Sequence, residues 1–236
     1  MTYYDMHSHI LPGVDDGSKS ISQSLELINL HVKNGVTNIC LTPHFYTNQE
    51  SIADFTSKRD NAFEKLKGAV PENVNLCLGA EVFVTHYLFN NKDISMLCYG
   101  NSKYMLTEFA YKASFSGKSM DMLVKIKDNY GFIPVIPHIE RYENVFYDES
   151  KLEELTDMGV IIQTNASSFS GFRRKRRILK LIDNGFIHIL GTDAHSLTRG
   201  NPENYSEACK LIAQKCGRNR LLRMQDTAAE IFSISN

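Results

Sequence analysis

Nine residues able to bind metal punctuate this chain, most of them at the ends of short apolar segments. His7 and His9 close the run Tyr3-Tyr4-Asp5-Met6-His7-Ser8-His9, and Asp16 lies in the turn-forming stretch from Leu11 to Gly17. His44 ends Cys40-Leu41-Thr42-Pro43-His44, Glu81 ends Leu78-Gly79-Ala80-Glu81, and Glu108 ends Met105-Leu106-Thr107-Glu108. His138 ends Val135-Ile136-Pro137-His138, and Leu190-Gly191-Thr192 leads into Asp193-Ala194-His195. A single histidine at a strand end is more often incidental than a ligand, and a single carboxylate there often caps the next helix. The signal is the repetition, a His-x-His and an Asp-x-His flanking four further strand ends. Imidazole with carboxylate suits Mn, Fe or Zn, and the lack of cysteine ligands argues against a closed structural zinc site. The set is too large for one ion and sufficient for three if a carboxylate bridges. Such a centre binds phosphate oxygens, lowers the pKa of a bound water and stabilises both oxygens of an in-line displacement.

Two arginines follow ligands closely. Arg141 stands three residues after His138 in His-Ile-Glu-Arg-Tyr, and Arg199 four after His195. In loops at the ligand end, a guanidinium fork would hold phosphate oxygens bidentately. The bland alternative, a surface salt bridge, competes more closely at Arg199 than at Arg141. The other histidines, His31, His86 and His188, are read as structural, on a helix, in a loop and inside a strand respectively.

Alternating helical and strand patterns must position these groups. The periodicity predicts helices over Ser20–Asn34, Ile52–Lys67, Ser119–Asn129, Ser150–Met158 and Phe172–Asn184. Beyond Pro202 the chain reads as helical with a break at Arg218-Asn219. Strands are predicted for the first ligand-bearing segment and for Val36–Pro43, Val74–Val84, Tyr104–Phe109, Phe132–Pro137, Val160–Thr164 and Phe186–Gly191. The stretch 85–103 reads as irregular. Several strands are continuous apolar runs, as in a parallel sheet covered on both faces, and most are followed by a helix able to make a right-handed crossover. An open doubly wound sheet and a closed barrel both fit. Ligands ending at least six strands favour a barrel, because closure brings that many strand ends together.

Length and composition agree with one domain spanning residues 1–236. Hydrophobic residues make up 42% and charged residues 22%, so a packed globular core is expected. The formal net charge of −1 gives no global attraction to nucleic acid or membrane, so recognition of an anionic substrate must be local. No apolar run approaches the ~18 residues needed to span a bilayer, and the first residues do not read as a signal peptide. Cys40, Cys77, Cys98, Cys209 and Cys216 are odd in number and widely spaced, with buried free thiols expected at 40 and 77. This fits a reducing cytoplasm. The one strong local charge cluster, Arg173-Arg174-Lys175-Arg176-Arg177, opens a helix, where the macrodipole disfavours cations. A solvated helix face is the bland reading; attraction of an acidic segment or a membrane-proximal partner is the sharper one.

The chain resembles the PHP (polymerase and histidinol phosphatase) superfamily over essentially its whole length. The motifs are Asp5-Met6-His7-Ser8-His9-Ile10-Leu11-Pro12-Gly13-Val14-Asp15-Asp16-Gly17, Thr42-Pro43-His44, Glu81, Glu108, His138-Ile139-Glu140-Arg141-Tyr142, Gln163-Thr164-Asn165 and Gly191-Thr192-Asp193-Ala194-His195. Within it the likeness is to the metal-dependent protein tyrosine phosphatases of bacterial capsule and exopolysaccharide clusters, because many other PHP domains carry histidine where Asp16 stands. Position 139 is Ile where relatives often have Pro.

The resemblance implies an α/β fold, a distorted (β/α)7 TIM-like barrel, and three divalent metal ions, Mn first with Fe or Zn as alternatives. It implies one ion on His7, His9, Glu81 and Asp193, a second on Glu81, Glu108 and His138, and a third on Asp16, His44 and His195, with Glu81 bridging. Arg141 and Arg199 would bind phosphate, and Glu108 is assigned to the catalytic groups beside them as well as to a metal. The implied substrate is a phosphotyrosine protein, the tail of a membrane-anchored bacterial tyrosine kinase that regulates polysaccharide synthesis. No Cys-x5-Arg loop is present, so the reaction would use metal-activated water rather than a cysteine thiolate.

Three other readings compete. A small-molecule phosphatase of the histidinol-phosphatase kind would need a deeper pocket with groups for an imidazole or amine. A nuclease or proofreading module would need a broad basic face. A non-enzymatic metal-binding scaffold would be favoured by a missing ligand, and none is missing.

Overall fold

Strands rich in Val, Ile, Leu and Cys at consecutive positions are stable only with both faces covered. The computed structural model, which describes residues 2–235, meets this with parallel strands surrounded by helices. In chain order the elements are β1 (Tyr3–Asp5), α1 (Ile21–Lys33), β2 (Val36–Leu41), β3 (His44–Tyr46), α2 (Ile52–Lys67), β4 (Asn75–Leu78), β5 (Glu81–Phe83) and β6 (Tyr104–Glu108). They continue with α3 (Lys118–Tyr130), β7 (Ile133–Ile136), α4 (Glu143–Phe146), α5 (Glu149–Asp157) and β8 (Ile161–Asn165). The last are α6 (Phe172–Asn184), β9 (Ile189–Gly191), α7 (Glu203–Lys215) and α8 (Arg218–Ser235).

One sheet has the order β1-β2-β4 and the other β3-β5-β6-β7-β8-β9, every pair parallel. The two sheets are one barrel wall with a kink. Leu41 pairs with Leu78, and three residues later His44 pairs with Glu81, so both staves keep their register across the break. Pro43 has no amide hydrogen for the ladder, which breaks β2 from β3. The amides of Gly79 and Glu81 still donate to the carbonyls of Leu41 and Pro43, at 2.9 and 3.0 Å. The wall closes where residues beyond β1 meet those beyond β9. His9 donates to the Ala194 carbonyl and Asp193 to that of His7, both at 2.8 Å, and Ser8 bridges Ala194 in parallel. Counting each kinked pair once, the described strands form seven staves, as the sequence predicts.

The lower barrel interior is apolar. Met6, Cys40, Cys77, Leu106, Val135 and Ile189 each come from a different stave, and Ala228, Ile231 and Phe232 of α8 close the floor. Tyr99 joins them, its hydroxyl donating to the Met6 carbonyl at 2.8 Å. Cys40 and Cys77 are buried, and none of the five cysteines is in a disulfide. Outside the staves, α1 to α7 pack their apolar stripes into a second, larger cluster. Among the described residues no helix is long and apolar enough to cross a membrane.

The structure departs from the sequence expectations in several places, among them the predicted strand Val74–Val84, which is divided into β4 and β5. The irregular stretch contains two 3-10 turns, 86–90 and 95–97, and His86 opens the first rather than lying in a loop. The short helix α4 has no counterpart among the predicted elements. The final helical region breaks at Gly217, which takes a left-handed φ of 89° that interrupts a helix, one residue before the predicted break. His188 precedes β9 instead of lying within a strand. Its Nδ1 accepts the Ile162 amide at 3.0 Å, so a side chain supplies the acceptor that a strand carbonyl would otherwise provide.

Candidate metal centre

Side chains alternate across a strand, so residues two or four apart point the same way. Leu106 lies in the apolar floor, and Glu108 follows it by two; Ile189 lies there as well, and Asp193 follows it by four. The chain thus places ionisable groups directly above an apolar layer, at the C-terminal end of the barrel. All nine predicted ligands come together there. They form four overlapping groups whose donor atoms lie within 4.8 Å of one another: His9, Asp16, His44 and His195; His7, Glu81 and His138; His7, His9 and Asp193; and His44, Glu81 and Glu108.

Glu81 is the hub. Its Oε1 lies 2.9 Å from His138 Nε2. Its Oε2 lies 3.2 Å from the Nε2 atoms of His7 and His9 and 3.0 Å from His44 Nδ1. The His7 and His9 Nε2 atoms are themselves 3.0 Å apart. Glu81 Oε2 and His44 Nδ1, 3.0 Å apart, meet without hydrogen-bond geometry, and His138 Nδ1 and His195 Nε2 are buried without a hydrogen-bond partner. Buried polar atoms left unpaired are costly, and Glu81 Oε2 has three imidazole nitrogens within 3.2 Å of it. Divalent cations would satisfy this mixed nitrogen and oxygen set, so the residues fit the ions that the ligand pattern implies.

Electrostatics of the chain alone agree. Burial opposes charge on Glu81, yet His7 and His138 hold its pKa well below the usual carboxylate range. Burial likewise opposes protonation of His9, but its contacts with Asp15, Asp193 and Glu81 raise its pKa well above that of an ordinary histidine. Glu108 goes the other way, raised by burial and then by the Glu81 charge. His195 is pushed down to about 4, by burial first and then by His9, which keeps Nε2 available as a ligand. Such a site exchanges protons for metal when it loads.

The ligands are held by partners to which the sequence pattern alone gives no role. Asp15 bonds His9 Nδ1 at 2.7 Å and accepts the amides of His44 and Gly17, both at 2.9 Å. It therefore orients His9 so that Nε2 faces Glu81. Gln163 Oε1 accepts the His138 amide at 2.7 Å, and its Nε2 donates to Asn165, whose amide donates to Asp193 at 3.1 Å. Asp5 accepts the Thr192 amide at 2.8 Å and the Thr192 hydroxyl at 2.5 Å, and it contacts His31 Nε2 at 2.7 Å. His31 is thus structural, as expected, and it braces the carboxylate that ties the first and last staves together. The adjacent acids Asp15-Asp16 and the polar ending Gln163-Thr164-Asn165 are sequence signals that could have found two of these groups.

Backbone strain collects at the same end. His138 and Asp193 take left-handed φ values of 33° and 56°. Non-glycine residues adopt that region only where their surroundings over-determine it. Gly191 permits the close approach: a Cβ there would lie 2.6 Å from the Cβ of His7.

Both predicted arginines reach the centre. Arg141 ion-pairs with Asp193, and its guanidinium also meets the Tyr111 hydroxyl at 3.4 Å. Arg199 pairs with Asp16 at 2.6 Å, with both side chains about half exposed. Each arginine therefore contacts a candidate ligand carboxylate and borders the solvent-facing side. Tyr111, half exposed and T-shaped against His138 at 5.9 Å, lies at the same rim and is not among the predicted site residues.

The family model for capsular polysaccharide synthesis, CpsB/CapC, matches residues 3–231. The chain belongs to the CpsB/CapC family. Among curated relatives of this CpsB/CapC member, tyrosine-protein phosphatase CpsB of Streptococcus pneumoniae is 31% identical over 237 residues, covering 92% of both chains. A putative tyrosine-protein phosphatase CapC of Staphylococcus aureus is 31% identical over 210 residues, covering 82% of this chain and 77% of the relative. The fold matches a chain from the crystal structures of YwqE from Bacillus subtilis and CpsB from Streptococcus pneumoniae, described as unique metal-dependent tyrosine phosphatases. Its TM-score is 0.81 at 23% identity, covering 100% of this chain and 96% of that one. A TatD-family hydrolase from Entamoeba histolytica shares the architecture more distantly, with a TM-score of 0.53 at 12% identity over 99% and 96% of the two chains.

Proposed function

We propose that this CpsB/CapC member is a metal-dependent phosphotyrosine-protein phosphatase. The observation that carries the reading is the convergence of nine nitrogen and oxygen donors on Glu81, beside Arg141, at a barrel end that reaches solvent. The ligand set is proposed as His7, His9, Asp16, His44, Glu81, Glu108, His138, Asp193 and His195, holding three divalent ions with Mn first. The grouping of the donors supports a refinement. His9 lies with Asp16, His44 and His195 as well as with His7 and Asp193, so His9 is suited to either of two ions.

Bound ions would activate water and neutralise charge on the phosphoryl oxygens of an in-line displacement. The chain's own residues do the rest. Glu81 and Asp193 keep the imidazoles oriented inward, and Asp15 fixes the His9 tautomer that presents Nε2. Arg141, pinned by Asp193, offers its second edge toward the rim, where a phosphoryl oxygen can be bound. Arg199 does the same from the Asp16 side. Glu108, whose carboxyl is raised in pKa, lies 3.5 Å from the His138 imidazole, in reach of the same centre.

The substrate is proposed to be the phosphotyrosine tail of a membrane-anchored bacterial tyrosine kinase, met in the cytoplasm. The relatives' names as tyrosine-protein phosphatases support this class over a small phosphate ester. The test is phosphate release from a phosphotyrosine peptide and from histidinol phosphate by chelator-stripped protein, with and without Mn²⁺. Mn-dependent turnover favouring the peptide is expected. Preference for histidinol phosphate would keep the metals and replace the substrate.

A further inference from the structure

Of the cationic run in α6, Arg177 is tied to Glu149 at 2.6 Å, an acid it shares with Lys180, and the four cations before it have no such partner. Arg173, Arg174 and Arg176 are exposed, and their side chains and that of Lys175 enter no ion pair or hydrogen bond with any described residue. They crowd the first turns of a helix whose N-cap, Gly171, offers no side-chain acceptor. Like charges there repel one another and oppose the macrodipole. A chain of net charge −1 has concentrated positive potential in one place at some cost to its own stability.

That place adjoins the metal centre. Asn165, which ends β8 and donates to Asp193, is separated from α6 only by the 3-10 turn 166–169 and a short link. Arg177 Nε donates to the Phe146 carbonyl at 2.9 Å, bracing α6 against the segment that also carries His138 and Arg141. Phe172, Arg173, Arg176, Arg177 and Lys180 line a shallow cleft of about 520 Å³. Phe172, at the head of the helix, is 76% exposed. Arg177 is already paired with Glu149, so the free cations of the cleft are Arg173 and Arg176. Unpaired exposed cations beside one apolar anchor together fit an acidic polypeptide segment.

We infer that the α6 cleft binds acidic side chains flanking the phosphotyrosine of the protein substrate, so that charge beside the scissile phosphate sets which segments are dephosphorylated. This rests on the phosphotyrosine reading above. A polypeptide fits better than a lipid surface. The apolar face of α6, Ile178, Leu181 and Ile182, is buried in the core, which leaves no apolar stripe to enter a bilayer.

The experiment compares metal-replete wild type with the triple variant Arg173→Glu, Arg174→Glu, Arg176→Glu. Two phosphotyrosine peptides, one flanked by Asp and Glu and one by Ser and Ala, are assayed beside p-nitrophenyl phosphate. At low salt the wild type should favour the acidic peptide by about tenfold in kcat/KM, and the variant should lose that preference. Turnover of the neutral peptide and of p-nitrophenyl phosphate should stay within about twofold, and roughly 0.5 M salt should erase the wild-type preference. An unchanged preference, or an equal loss on every substrate, overturns the inference. Anisotropy of the labelled acidic peptide, made with a non-hydrolysable phosphotyrosine mimic, reads docking without turnover. If no phosphotyrosine peptide is hydrolysed but this binding still depends on the arginines, the catalytic reading fails and the docking stands. If charge reversal abolishes only binding to phosphatidylserine vesicles, the surface belongs to a membrane and the peptide inference is wrong.

Discussion

The same staves build two layers of opposite character. In the lower layer Met6, Cys40, Leu106, Val135 and Ile189 pack against α8 without a charged group among them. A few residues further along, His7, His44, Glu108, His138 and Asp193 crowd ionisable atoms into a largely buried volume. The lower layer derives its stability from removing apolar area from water. The upper layer works against it: its imidazoles and carboxylates are desolvated, partly unpaired and carried on left-handed backbone at His138 and Asp193. The barrel is thus a scaffold whose apolar half supports a costly half that metal binding would stabilise.

The sharpest test of that division is Glu81→Ala. It should lower metal-dependent phosphotyrosine turnover about a thousandfold or more, the scale of several kcal/mol of lost charge stabilisation. Metal addition should raise the melting temperature of the wild type and not of this variant, because only a binding-competent fold gains from ligand. Leu106→Ala should do the converse, destabilising the protein by about 2–5 kcal/mol in denaturant titrations while leaving metal affinity nearly unchanged. An equal effect of both substitutions on both readouts would mean that the layers are not separable.

Outside both layers, His188 supplies a pH-dependent contrast. Burial, then Arg220, pushes it down to about 4 from an ordinary value of 6.5. Between those values the unfolded chain takes up a proton that the fold refuses, so acidification lowers stability across that window. The loss approaches about 3 kcal/mol by pH 4 for this group. His188→Asn should flatten that part of the wild-type curve in chemical denaturation. The smallest expected effect is that of Asp15→Asn, which leaves the donor set intact but loosens the hold on His9. It should weaken metal affinity tenfold to a hundredfold by calorimetry, with little change in melting temperature of the metal-free protein.

Much of this is legible in the chain because it is local. The apolar runs, Gly35 ending the first helix and the capping residues Ser20 and Ser51 are short-range signals, and α2 and α6 match their predicted bounds. The candidate ligands are legible because most of them sit at the end of an apolar run. The stretch 85–103 is not, because short 3-10 turns lack the periodicity on which such reading depends. The β9 boundary escapes it because a side chain, His188, replaces a backbone partner there.

The sequence by itself determined the inventory: which residues can bind metal, their order along the chain, and the alternation of strand and helix that sends them to one end. Tertiary structure decided the partnerships. Only closure of the barrel brings Asp5 to Thr192, 187 residues away, and sets Gln163 between His138 and Asp193. It also pairs Arg141 with Asp193 and Arg199 with Asp16, and braces α6 against α4 through Arg177 and the Phe146 carbonyl. Local pattern is set by backbone sterics and burial within a few residues. The identity of a hydrogen-bond or ion-pair partner is set by which distant segments the packed core forces together, and no local periodicity encodes that.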